Sequence, residues 1–176
     1  MQTDATTLNS ALQEFFVTSL QEMYWSEVNM RNTLATMTEE ATTVKLKKAF
    51  EVHVEQTERH AKILEEVFTL LGIPPQAEPC VGLQGLFDEG WQVIDESAKG
   101  SAQRDVALII AAQKVEHYEI ATYGSLMTLA NTLGHKEIVQ LLEPILKEEK
   151  ETDAILSSIA KSGINTEASK EPVPQL

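Results

Sequence analysis

AAQKVEHYEIATY, residues 111–123, is the stretch on which the reading of the whole chain turns. It lies in a run rich in Ala, Val, Ile and Leu, and side chains three or four residues apart share one face of a helix. On that spacing Glu116 and Glu119 fall on the same stripe as Leu108, Ala112, Tyr123, Leu126 and Ala130. An ionised carboxylate placed among apolar side chains without a partner is prohibitively costly. Either this helix turns the stripe toward water, or something positive lies between the helices. A metal ion is the usual answer, and the other segments can be asked for its remaining ligands.

Working outward, residues 101–133 read as one long helix closed by Gly134. Residues 136–160 read as the next, closed by Gly163, with Pro144 inside it expected to bend or break it. On the N-terminal side, Asn9 or Ser10 can cap a helix reaching about Met37, with Leu12, Phe16, Leu20, Met23, Met30 and Leu34 on one stripe. A short polar connection leads to a second helix over residues 43–71, with Leu46, Phe50, Ala61, Leu64, Phe68 and Leu71 inward. Gly72 ends it, backed by Pro74 and Pro75. The connection over residues 72–100 is the exception to short loops, and it carries one amphipathic helix of its own over residues 83–98. Up-down bundles have only short loops, whereas ferritin-like bundles carry one long crossover between their second and third helices. The expected fold is therefore all-α: a ferritin-like four-helix bundle of two antiparallel hairpins, with an extra short helix in the crossover. The expected domain spans residues 1–163, with a frayed polar start and a disordered tail over residues 164–176.

Composition narrows the function classes. Fourteen basic against twenty-seven acidic side chains leave a net charge of −13, which disfavours nucleic acid and anionic membranes as partners. A single cysteine, Cys80, excludes an intrachain disulfide framework and fits a reducing, cytoplasmic setting. No apolar run reaches membrane-spanning length. A Gly-rich phosphate loop, a Cys-x-x-Cys pair and a nucleophile elbow are all missing from the sequence, so no organic cofactor is expected.

Projection at about 100° per residue locates the other polar core positions. Glu27 is central on the first helix and Glu149 on the fourth, where Thr152 and Asp153 flank it. On the second helix His53 and Thr57 point inward, while Glu55 lies nearly opposite the stripe and Glu58 well off its centre. Matching heights across the two hairpins sets Glu27 level with the turn holding His53 and Thr57, pairs Glu119 with Glu149, and pairs Glu116 with Asp153. His60 lies about 10 Å from His53 along the axis, too far to share one ion, and is expected at the rim. Thr57, Glu58 and His60 remain alternatives to His53. His117 and His135 read as surface residues. The candidate metal ligands are Glu27, His53, Glu116, Glu119, Glu149 and Asp153, and such an oxygen-rich set with some imidazole suits a di-metal centre of iron or manganese. Four of them have a plainer alternative. His53 could be a hydrogen-bonded core histidine, Glu148, Glu149 and Glu151 a solvated acidic face, and Glu116 and Glu119 a proton-sharing carboxylate network. Tyr123, one turn past Glu119, is placed to donate a hydrogen bond to a carboxylate.

The segments AFEVHVEQT (residues 49–57), RDVALIIAAQKVEHYEIATYGSL (104–126) and LKEEKETDAIL (146–156) together resemble the YciE/YciF-type ferritin-like bacterial stress proteins. The resemblance runs over residues 12–159. It implies a rubrerythrin-like helical core, an acidic pocket for two metals, a role in stress responses without an established reaction, and a homodimer. By resemblance, Glu116 and Glu119 match the two-glutamate third helix of rubrerythrin, and Glu27 its first-helix glutamate. The chain departs from the usual Glu-x-x-His of the second and fourth helices: the second offers His53 and Thr57, and the fourth has Thr152 where histidine would stand. The expected function is a stress-response protein with a carboxylate-rich di-metal site open to oxygen or peroxide. The rival is a non-catalytic helical protein acting through its dimer surfaces.

Overall fold

The computed structural model describes residues 10–172. It contains α1 (Ala11–Glu40), α2 (Val44–Leu71), α3 (Val81–Glu96), α4 (Ala102–Thr132) and α5 (Lys136–Ile159), then a wide π turn (Ala160–Ile164) and the short α6 (Asn165–Ala168). No strand occurs among the described residues. Of the two proposed caps for α1, Ser10 serves: its hydroxyl accepts from the Gln13 N–H at 3.1 Å. Ser101 does the same for α4, accepting from the Arg104 N–H at 3.0 Å. Gly72 ends α2 at φ 71°, a left-handed conformation that costs glycine little. There the Ile73 N–H reaches the Phe68 carbonyl at 3.1 Å and the Gly72 N–H that of Thr69 at 3.0 Å, which satisfies the last carbonyls of the helix.

α1 packs on α2, α4 on α5, α2 on α5 and α1 on α4, while α3 of the crossover lies against α4 and α1. Side-chain bonds fix these neighbours at the α1–α2 end. The Asp105 carboxylate on α4 accepts from the N–H groups of Thr42 (2.6 Å) and Thr43 (2.9 Å) in the α1–α2 turn. The buried Arg104 donates to Ser97 Oγ at 3.0 Å and to the Ile94 carbonyl at 2.7 Å, and it pairs with Glu40, so one guanidinium joins α1, α3 and α4. Trp25 stacks on Phe87 with ring centroids 6.2 Å apart, holding α3 down on α1.

Two expectations are corrected. Of the bend or break expected at Pro144, the break does not occur: α5 runs unbroken from Lys136 to Ile159. Its missing N–H leaves the Gln140 carbonyl without a helical partner, but both residues are exposed and water can take that place. Past Gly163, where a loose tail was expected, the chain turns and buries Ile164 in the core, and α6 lies on α4. The Glu171 carboxylate then accepts from the N–H groups of Ala102 (2.7 Å) and Gln103 (2.9 Å). The bare amides of a helix start are a natural seat for an anion. The expectations for the polar start at residues 1–9 and for residues 173–176 lie outside the described residues.

The apolar interior falls into two clusters. One gathers Met30, Leu34, Leu46, Phe50, Leu83, Leu108, Ala112 and Leu156, and the other Phe16, Leu20, Met23, Leu64, Phe68, Leu126, Leu142 and Ile145. On each of α1, α2, α4 and α5 the chain crosses from one cluster to the other at a polar residue: Glu27, His53 to His60, Glu116 and Glu119, and Glu149. The polar layer is therefore sandwiched between two oily ones, where water does not reach.

Candidate metal centre

Four helices deliver the polar layer because each places a polar residue in phase with its apolar stripe. Glu27, His53, His60, Glu116, Glu119 and Glu149 are each no more than 1% exposed. His53 and His60 are seven residues apart, two helical turns that return to nearly the same face. Between them Thr57 is fully buried, its hydroxyl 3.9 Å from the Met30 sulfur. His53 Nδ1 lies 3.1 Å from Glu116 Oε1, and His53 Nε2 lies 3.6 Å from Glu149 Oε2. His60 Nδ1 lies 2.9 Å from Glu149 Oε1 and 3.5 Å from Glu27 Oε1. Tyr123 donates its hydroxyl to Glu27 Oε1 at 2.5 Å.

These atoms form two groups compact enough to hold a metal ion. One is His53, Glu116, Glu119 and Glu149; the other is Glu27, His60 and Glu149. Each group offers ligand atoms within 4.8 Å of one another, and Glu149 belongs to both.

The expected ligands separate accordingly. Glu27, His53, Glu116, Glu119 and Glu149 come together. Asp153 does not: its Oδ1 accepts from Gln113 Nε2 at 2.8 Å and lies 3.3 Å from His117 Nε2, on the outer seam of α4 and α5. Glu149 sits to one side of the buried stripe of α5, so Asp153, four residues on, steps further off that side, whereas Thr152, three residues on, steps back across the stripe and takes the inner position. The rim placement of His60 is also corrected. The two histidines do fall into different ligand groups, but the layer is deep enough to bury both rings, one in each group. Its signal in the sequence was the seven-residue spacing around Thr57. Glu55 and Glu58 stay outside the layer, as the projection requires. His117 is exposed, and His135 is half-buried against Phe16, far from the layer.

The chemistry of the donor set fits a cation. Many contacts are at ion-pair distance but at angles unfit for hydrogen bonds. Both oxygens of Glu119 and of Glu149, both ring nitrogens of His53, His60 Nδ1, Glu27 Oε2 and Glu116 Oε2 are buried without a hydrogen-bond partner. Orphaned buried polar atoms are rare and each is costly, so their convergence on one spot calls for a ligand.

Protonation of the layer by itself runs as follows. Burial alone would lower both histidines, but the carboxylates around them win. Glu116 above all raises His53 to about 9, and Glu149 and Glu27 raise His60 to about 11. Burial raises Glu116 to about 7 despite His53, and lifts Glu119 well above the usual carboxylate range, with Glu149 and Glu27 adding repulsion. Burial also raises Glu27. Glu149 resists its burial because His60 and His53 hold it below the ordinary value. Imidazolium rings and shared protons thus occupy the charge balance that a metal ion would otherwise supply.

An all-α protein with a buried carboxylate–imidazole layer able to hold metal ions is the class that fold and layer define. More narrowly, the chain belongs to the family described as Domain of unknown function (DUF892), whose model matches residues 11–169. It is 37% identical over 158 residues to protein YciF of Escherichia coli K12, covering 89% of this chain and 95% of that one. The crystal structure of the E. coli stress protein YciF superposes with a TM-score of 0.83, over 89% of this chain and 98% of that one. YcfI of Rhodopseudomonas palustris, described only as a candidate structural protein, gives 0.82 at 34% identity over 85% and 94% of the two chains. A protein of Xanthomonas campestris, at 22% identity and a TM-score of 0.68 over 88% and 94%, shares the fold. No helix among the described residues is long and apolar enough to cross a membrane.

Proposed function

We propose that this chain is a ferritin-like stress-response protein whose bundle centre binds two divalent metal ions, iron or manganese. His53, Glu116 and Glu119 would hold one, Glu27 and His60 the other, with Glu149 contributing to both. The observation that carries this reading is the set of unpartnered buried oxygens and nitrogens facing a single layer, split into two ligand groups that share Glu149. Bound iron or manganese would supply the redox chemistry to reduce dioxygen or a peroxide. The chain's own part is to position and shield. The apolar clusters on either side exclude water, Tyr123 orients Glu27 through its hydroxyl, and the two histidines must release protons to act as ligands. The stress role rests on the likeness to YciF. The same reading makes the protein a cytoplasmic homodimer with no nucleic-acid or membrane partner, in keeping with its acid excess.

A second reading has its own support: with His53 and His60 cationic, the layer largely balances its own charge, as a non-catalytic helical protein acting through dimer surfaces would need. Metal analysis separates the two. After loading with Fe(II) or Mn(II) and desalting, the first reading expects close to two ions per chain, and the joint variant Glu116→Ala, Glu119→Ala to lose metal while keeping its helical signal. A wild-type chain retaining under about half an ion favours the second reading.

A further inference from the structure

The two buried histidines are wired differently. Both ring nitrogens of His53 face carboxylates of the inner layer, Glu116 and Glu149. His60 turns only Nδ1 inward, and its Nε2 lies 2.8 Å from Glu148 Oε2, a carboxylate 28% exposed at the α2–α5 seam. Glu148 and Glu149 are consecutive, so they leave α5 about 100° apart and grip the same ring from opposite edges. Glu148 is itself held: Arg59 Nη2 lies 3.0 Å from both of its oxygens. Arg59 is steadied in turn by donating Nη1 to the Glu55 carbonyl of its own helix at 3.1 Å. A half-exposed Arg–Glu pair alone is worth little. This one has a third member, an imidazole that is almost completely buried.

Resting on the metal reading above, we infer that Glu148, clamped by Arg59, is a positioning residue for the His60 half of the centre. It takes the Nε2 hydrogen bond and so leaves Nδ1 as the ligating nitrogen toward Glu27 and Glu149. A ligating histidine whose outer N–H is held by a carboxylate has its ring orientation and tautomer set, and removing such a partner typically costs about 10–100-fold in metal affinity. His53 has no such outer acceptor, so the two ligand groups are unequal in their dependence on Glu148.

The test is a zinc titration of the full chain, a redox-silent stand-in, with Glu148→Leu, Glu148→Gln and Arg59→Met beside the wild type. Glu148→Leu is expected to weaken one of two binding events by about 10–100-fold and leave the other unchanged. Glu148→Gln, which keeps a neutral acceptor, should recover part of that loss, and Arg59→Met should fall between Gln and wild type. In the zinc-loaded wild type a slowly exchanging His60 Nε2–H proton resonance is expected, and Glu148→Leu should lose it. Arg59→Met leaves the buried layer untouched, so it keeps the test usable should Glu148→Leu fold poorly. Two unchanged affinities in both Glu148→Leu and Arg59→Met overturn this inference and leave the metal reading standing. A wild type that binds no zinc, iron or manganese overturns both.

Discussion

Among single residues Glu119 carries the heaviest burden. It is fully buried, neither oxygen has a hydrogen-bond partner, and no histidine is within ion-pair distance of it. Its neighbours Glu149, Glu27 and Glu116 add repulsion to the burial that already lifts its pKa. Without metal it is therefore a net cost to the fold, a cost that the proposed metal would turn to use by taking it as a ligand. Glu119→Leu, similar in volume, is expected to stabilise the metal-free protein by about 1–3 kcal/mol, the usual penalty of an unsatisfied buried polar group. The same change should abolish stabilisation by metal at the His53 position. Urea unfolding in chelator, and again with Mn(II), reads both; a chelated variant less stable than wild type would refute the account. At this scale the sequence was informative where phase alone decides. Glu116, Glu119, Glu27 and Glu149 were visible as acids on oily stripes. Asp153 was taken inward because its height matched Glu116 although it only flanks the stripe of α5, and His60 was set at the rim because a projection gives direction but not the depth of the layer. Glu148 was hidden in an acidic run, since nothing in one helix reveals what a neighbouring helix brings to its edge.

Whole helices were more legible than their joints. The 3.6-residue period and the Gly72 and Gly134 stops place the long helices to within a few residues, because those signals are local. Their joints depend on partners distant in sequence. α1 runs on to Glu40 because Arg104 and Lys99 meet that carboxylate, and Leu12, expected inward, is 39% exposed in the first turn of α1. The α1–α2 turn depends on Asp105, sixty-odd residues away, whose two oxygens serve two consecutive amides. Hydrogen bonds to a charged acceptor are worth about 1.5–3 kcal/mol each, and the exposed side of this turn lets water recover part of the loss. Asp105→Ala is thus expected to cost about 2–4 kcal/mol, seen as a lower urea midpoint at unchanged slope. Hydrogen exchange at Thr42 and Thr43 should quicken. Unaltered exchange at those two amides would show that the carboxylate does not hold the turn.

Over the whole molecule, the buried layer makes the stability of the metal-free protein fall as pH rises through neutrality. His53 and His60 have folded values of about 9 and about 11 against an ordinary 6.5, so their contribution is complete below 6.5 and is lost as pH climbs through those values. Glu116, at about 7 against 4.5, binds its proton more tightly when folded, and its share is lost between those limits in the same direction. Glu148 and Glu149 work the other way: both are held below 4.5, and what they contribute is lost only as pH falls through their folded values. The sum puts the optimum of the metal-free protein on the mildly acidic side and makes its melting temperature fall steadily from pH 6 to pH 9. Self-repulsion from the net charge of −13 pushes the same way. A bound divalent ion reverses the balance, because it replaces the protons on the histidines and is favoured as pH rises. The gap in melting temperature between Mn(II)-loaded and chelated protein should therefore widen from pH 6 to pH 9. Glu116→Gln, which removes one titrating carboxyl, should flatten the lower part of the chelated curve. A chelated melting temperature that holds level or rises across that range would mean the histidines are not protonated in the folded chain, and the charge balance drawn for the layer would be wrong.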